Sequence, residues 1–132
     1  MALKEFSLFE DLSMQVLSNI KECISEVSLK KDQRLFSTGD LGDEMFLVRR
    51  GGVRVMLPVE GGTYRYLATV RQGGFFGELA FIDNQARSAD VEAKWDSDLY
   101  ALSRRRLNEW SRTDPAKGAV LFERLAKTIA LR

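Results

Sequence analysis

Gly73-Gly74-Phe75-Phe76-Gly77-Glu78-Leu79-Ala80-Phe81-Ile82-Asp83, followed after three intervening residues by Arg87-Ser88-Ala89, is the stretch on which the reading of this chain turns. The sequence on either side has the period of β-strands, and here that period breaks. Glycines lead into a short helix-forming run. A glycine at a helix start lets backbone N–H groups come close to an anion, and the first-turn N–H groups have no partner inside the helix, so the segment reads as a small phosphate cradle. Nine residues after Glu78, Arg87 opens the next strand. Its guanidinium offers forked hydrogen bonds to phosphate oxygens, and Glu78 accepts hydrogen bonds from sugar hydroxyls. The ligand so described is a sugar phosphate. A plainer pattern uses the same residues, because Gly-Glu-Leu-Ala opens many helices and a Glu and an Arg nine apart are often a solvated pair. The frame around them has to decide.

Upstream, Ser13 caps a helix expected over 14–24, with Leu12 and Leu17 as a hydrophobic staple and Val16, Leu17, Ile20, Cys23 and Ile24 on one face. Strand-like runs follow at 27–29, 34–36, 45–49, 53–57, 64–70, 88–93 and 98–102, separated by glycine turns. The pair Gly61-Gly62 sits where a hairpin would turn. In the run before it, Val53, Val55 and Leu57 share one face of a sheet while Arg54 and Met56 share the other. Many short strands mean a sandwich or barrel. Helices return at the end: Ser103 caps one carrying Leu107 and Trp110, and Asp114-Pro115 starts a last one with Leu121, Leu125 and Ile129 on one face. Neither repeat nor linker interrupts the 132 residues, which are expected to form one domain: helical over 1–26, β over 27–102, helical again over 103–132.

Composition removes several kinds of chemistry. With no histidine, the usual base of hydrolytic triads and the commonest ligand of catalytic zinc are missing, so neither a catalytic role nor a bound metal or other cofactor is expected. The single Cys23 allows no internal disulfide and no paired-cysteine redox site, and reads as a buried, inert thiol. No apolar run has membrane-helix length and the N-terminus has no signal-peptide pattern, so a cytoplasmic location is expected. Net charge is +1, yet it is unevenly spread: residues 1–100 carry 12 basic against 16 acidic side chains, and residues 101–132 carry 8 against 3. Arg104, Arg105, Arg106, Arg112, Lys117, Arg124, Lys127 and Arg132 make up that basic end. A solvated face of two helices is its ordinary meaning, with an anionic membrane surface or acidic partner as alternatives.

The whole frame resembles the cyclic-nucleotide-binding domains of catabolite activator proteins, cAMP-dependent protein kinase regulatory subunits and cyclic-nucleotide-gated channels. The resemblance runs from Leu8-Phe9-Glu10-Asp11-Leu12, through Gly39-Asp40-Leu41-Gly42-Asp43, Phe46-Leu47-Val48, Gly51 and Val53, to Gly73, Phe76-Gly77-Glu78-Leu79-Ala80 and Arg87-Ser88-Ala89. It implies an eight-stranded jelly roll flanked by an N-terminal helix and two C-terminal helices. By the same resemblance, Arg87 neutralises a cyclic phosphate, Glu78 takes the ribose 2′-hydroxyl, and N–H groups around Gly77, Ala80 and Ser88 complete the cradle. Leu79 and Ala89 fall within the same cassette. Gly39, Gly42, Gly51 and Gly73 are read as turn positions needing positive φ rather than as contacts. Two departures stand out: Ala86 replaces a frequent Pro, and Asp90 puts a carboxylate near the anion. Strand alternation from Arg87 places Asp90 on the opposite face, in solvent.

Within the family, Ala or Ser after the Arg is more typical of cAMP binders and Thr of cGMP binders, so Ser88 favours cAMP as ligand. Val55 and Leu67 are candidate walls for the base, and Leu125 and Ile129 candidate lids over it, the last helix being the expected moving part. The implied function is a non-catalytic sensor acting on an attached domain of a longer parent. The wording of Pro58-Val59-Glu60-Gly61-Gly62 and Arg87-Ser88-Ala89-Asp90 resembles the sensor attached to some SulP-type anion transporters, which would bring a membrane in only through that parent. Two other readings stay open: an orphan barrel acting as an interaction module, and the sensor half of a DNA-binding regulator. The second needs a helix-turn-helix that this chain does not carry, so nucleic acid is not expected as its partner.

Overall fold

A computed structural model describes residues 1–131; Arg132, one of the eight basic residues of the C-terminal stretch, lies outside the described residues. The chain begins with two short 3-10 turns at Leu3–Glu5 and Ser7–Phe9, then α1 (Met14–Lys21). Eight strands follow among the described residues: β1 (Ile24–Leu29), β2 (Arg34–Phe36), β3 (Glu44–Arg50), β4 (Gly52–Pro58), β5 (Tyr64–Arg71), β6 (Phe75–Phe76), then α2 (Glu78–Asp83), β7 (Asp90–Ala93) and β8 (Ser97–Ser103). Two helices close the chain, α3 (Arg104–Thr113) and α4 (Pro115–Ala130). The strands form two antiparallel sheets of four, ordered β1-β8-β3-β6 and β2-β7-β4-β5, which is the expected jelly roll.

Strand β3 shows how the two cores arise. Four of its seven residues are buried in succession, because both of its faces are covered. Met45 and Leu47 point to the helices and join Phe6, Phe9, Ile20, Leu107 and Leu121; Phe46 and Val48 point between the sheets and join Val53, Val91 and Leu99. The helical caps behave as read. Ser13 Oγ accepts from Val16 N at 3.2 Å, Ser103 Oγ accepts from Arg106 N at 3.2 Å, and Asp114 Oδ1 accepts from Lys117 N at 3.3 Å with Pro115 in the first turn.

Four local readings change. The first helix ends at Lys21, since Ile24 pairs with Leu102 and starts β1 instead of closing a helical face; Cys23, in the turn between, is buried there, and desolvation pushes its thiol pKa up. Strand β7 starts at Asp90, not Ser88, because the backbone of Arg87 bonds to the loop at 39–40. The Phe75–Phe76 strand has only two residues, too few to show a period, and is placed by pairing with Leu47 and Phe46. The pairing of β4 with β5 slips between Val55↔Ala68 and Met56↔Tyr66, so Leu67 is the extra residue of a bulge and is 47% exposed. It does not wall the cavity.

Asp90 lies opposite the core face but is 4% exposed rather than solvated. It accepts from Thr38 N at 2.6 Å and Thr38 Oγ1 at 2.9 Å, and Arg34 Nη1 sits 3.0 Å away. Desolvation opposes its charge, but the Thr38 hydrogen bonds and Arg34 outweigh it and hold the carboxyl below its ordinary range. A depressed folded-state pKa gives stability that is present above the unfolded value of about 3.9 and is lost as pH falls through the folded one. Asp90→Asn is therefore expected to lower unfolding free energy by about 1 to 3 kcal/mol at pH 6 and to flatten its decline toward pH 3, measured by urea denaturation. Equal acid slopes for both proteins would discard this role.

Candidate functional site

The segment that breaks the strand period folds as a turn and a single short helix between β6 and β7. Gly77, with φ of 78°, occupies the left-handed region and sits as N-cap of α2, turning the chain so that Glu78, Leu79 and Ala80 form its first turn. Opposite them, Arg87 is held by its backbone: Arg87 N donates to Asp40 O at 2.9 Å and its carbonyl accepts from Gly39 N at 2.8 Å. The loop at 39–40 is anchored in turn through Thr38 to Asp90, so the carboxylate that looked adverse supports the arginine from behind.

The Arg87 side chain is 6% exposed. Nη1 donates to Glu44 O at 2.9 Å and to Gly77 O at 3.3 Å, and the guanidinium lies 4.3 Å from the ring centre of Phe36 and 5.5 Å from that of Phe46. Desolvation lowers its pKa, while Glu44, Asp43 and Asp40 act in the other direction from longer range. None of these pairs with it directly, and a guanidinium cannot shed its charge at any ordinary pH. The site is thus a desolvated cation held by carbonyls and aromatic faces, an arrangement that an anion completes.

It borders a cavity of about 200 Å³. The structure brings Gly77, Glu78, Leu79, Ala80, Arg87, Ser88 and Ala89 together on its wall, with Val55 on the sheet side. Leu67 is replaced there by Ala68, its neighbour across the bulge, together with Val70. Leu125 and Ile129 are elsewhere: Leu125 is 2% exposed within the helical core, and Ile129 packs on that same core. The stripe on α4 joins the helical core against the outer face of the β1-β8-β3-β6 sheet rather than the cavity.

Three contributors escaped the sequence reading. Phe36 and Phe46 flank Arg87 from strands some forty to fifty residues away, and nothing local marks them. Of the four glycines expected at positive φ, Gly39, Gly51 and Gly73 have it and Gly42 does not. A Cβ on Gly42 would stand 2.9 Å from Arg87 Nη2, so its requirement is close approach. Part of the basic end has separate roles: Lys117 pairs with Asp114, Lys127 with Glu123, Arg124 with Asp11, and Arg104 is packed between helices, while Arg105, Arg106 and Arg112 are exposed.

The profile of the family described as "Cyclic nucleotide-binding domain" matches residues 26–114. The chain is 41% identical over 70 residues to the "Cyclic AMP receptor protein" of Thermus thermophilus, covering 53% of this chain and 32% of that protein, so it spans about a third of that relative's length. Among solved structures, a cyclic nucleotide-binding domain from Methylobacillus flagellatus superposes with a TM-score of 0.82 at 27% identity, over 98% of this chain and 72% of that one. The regulatory domain of Toxoplasma gondii PKA, crystallised with cAMP, superposes with a TM-score of 0.71 at 28% identity, over 81% of this chain and 41% of that one. The chain belongs to the cyclic nucleotide-binding domain family.

Proposed function

We propose that this member of the family is a regulatory sensor that takes up cAMP, performs no catalysis itself, and passes its occupancy through the C-terminal helices to an attached domain or partner. The observation that carries the reading is Arg87: a guanidinium that is 6% exposed, unpaired with any carboxylate among the described residues, and set in the wall of a cavity. A cyclic phosphodiester brings one negative charge, which this one cation balances. Glu78 takes the ribose 2′-hydroxyl, the first-turn N–H groups of α2 and the N–H of Ser88 take phosphate oxygens, and Val55, Ala68, Val70 and Leu79 receive the base. The names of the Thermus receptor and the cAMP-bound Toxoplasma domain support the adenine ligand. As to the parent, the wording of residues 58–62 and 87–90 suggests a SulP-type transporter.

Calorimetric titration tests the ligand. Binding is expected with cAMP, more weakly with cGMP because Ser88 rather than Thr follows Arg87, and at least about tenfold more weakly with 5′-AMP. The acyclic phosphate carries a second charge, and Asp40, Asp43 and Glu44 stand nearby, with no second cation lining the cavity among the described residues. No heat and no thermal shift with either cyclic nucleotide at millimolar concentration would replace the sensor by a barrel that acts as an interaction module.

A further inference from the structure

Arg104 stands at the start of α3, outside the nucleotide cavity, yet it touches three helices at once. Nη1 donates to Phe81 O at 2.9 Å and to Ile82 O at 3.3 Å, which are carbonyls at the C-terminal end of α2. Nε donates to Asn108 Oδ1 at 3.0 Å within α3. The guanidinium lies 5.5 Å from the ring centre of Phe81 and 4.7 Å from that of Phe122 in α4. A six-residue helix leaves its last carbonyls without internal partners. Asn84 N takes Ala80 O, and Arg104 takes two of the others, so the end of α2 is held from outside the cassette.

The first turn of α3 also grips the other half of the site. Asp43 Oδ2 accepts from Arg105 N at 2.8 Å, and Asp43 lies between Gly42, which gives Arg87 its room, and Glu44, whose carbonyl accepts from Arg87. From this geometry we infer that Arg104 is a positioning residue for nucleotide binding, a latch that fixes α2 against α3 and α4. Through it a shift of Gly77–Ala80 around the phosphate moves the end of α2, and the end of α2 moves Phe122. This rests on the nucleotide-sensing reading, but the latch is made of protein contacts alone and is measurable without ligand.

Hydrogen exchange on wild type, Arg104→Ala, Arg104→Lys and Arg105→Ala, each with and without saturating cAMP, tests it. Without ligand, Arg104→Ala is expected to lower protection in residues 78–83 and 116–131 together by on the order of tenfold. The same variant should weaken cAMP binding by on the order of tenfold and lose the ligand-induced change over 116–131 while keeping the one over 76–89. Lysine retains the charge but cannot reach the α2 carbonyls and Asn108 together, so it should fall between. Arg105→Ala removes an equal charge from the same turn and should behave as wild type, because its link to Asp43 is through the backbone. A merely structural Arg104 would lower melting temperature and leave the ligand-induced change over 116–131 intact, which overturns the latch. Unchanged protection over 116–131 without ligand overturns it too. Should wild type take no nucleotide, the sensing reading falls, and the ligand-free arm still decides the latch.

Discussion

Arg87→Leu is expected to abolish cAMP binding, by a hundredfold or more in Kd, while leaving the ligand-free protein at least as stable as wild type to within about 1 kcal/mol. The first half follows from the two or more charge-assisted hydrogen bonds that a phosphate would receive, each worth about 1.5 to 3 kcal/mol. The second half is less usual and comes from the surroundings. Arg87 is 6% exposed, and among the described residues its direct contacts are the Glu44 and Gly77 carbonyls and the faces of Phe36 and Phe46, with carboxylates only at longer range. Without a bound anion it is a desolvated cation in a mostly apolar slot, and replacing such a charge by a well-packed apolar side chain is often neutral or stabilising. Leucine leaves the two carbonyls one donor short, which limits the gain. Calorimetry with cAMP and urea denaturation without it provide the measurements. Binding kept within tenfold would remove Arg87 from the phosphate, and a loss of more than about 2 kcal/mol in the ligand-free protein would make it a structural residue first.

How far this site could be read from residues alone depended on whether the signal was local. The Gly77 turn and the helix at 78–83, the three helix caps and the Gly61-Gly62 hairpin are set by neighbours in sequence, and these elements stand where those residues put them. Features that depend on pairing between distant strands were not legible. The bulge at Leu67 arises because β5 must match β4 across a register slip, and no run of residues from 64 to 70 announces it. The burial of Asp90 depends on Thr38 and Arg34, more than fifty residues upstream. The candidate lid residues lie away from the cavity for another reason. An apolar stripe on α4 shows that the helix covers something, and periodicity cannot say which of two apolar surfaces that is; here Leu121 and Leu125 join Phe9, Ile20 and Leu107. Arg104 shows the converse error, a charge counted as part of a basic surface whose guanidinium holds the end of a helix.

Gly77 and Gly42 both make room for Arg87, and their substitutions separate the cost of backbone conformation from the cost of a displaced guanidinium. Gly77→Ala places a side chain at φ of 78°, a conformation costing an L-residue about 1 to 2 kcal/mol, and its Cβ would stand 2.8 Å from Arg87 Nη1 and 3.4 Å from Glu44 O. The guanidinium can move only by leaving those carbonyls or the Phe36 face, so stability should fall by about 2 to 3 kcal/mol and cAMP affinity by on the order of a hundredfold. Gly42→Ala has no positive φ to maintain, and its shortest contact, at 2.9 Å, is with Nη2 at the end of the same side chain. Stability should then change by less than about 1 kcal/mol while affinity falls by on the order of tenfold, since one face of the fork is pushed from its place. Gly61→Ala supplies the reference: φ of 84° and nothing within 4 Å of a new Cβ, so the backbone cost appears alone and affinity holds. Melting curves and cAMP titrations on the three variants give the pattern. If Gly42→Ala and Gly61→Ala bind equally well, Arg87 tolerates displacement, and the close approach of the two glycines is a matter of packing rather than of ligand binding.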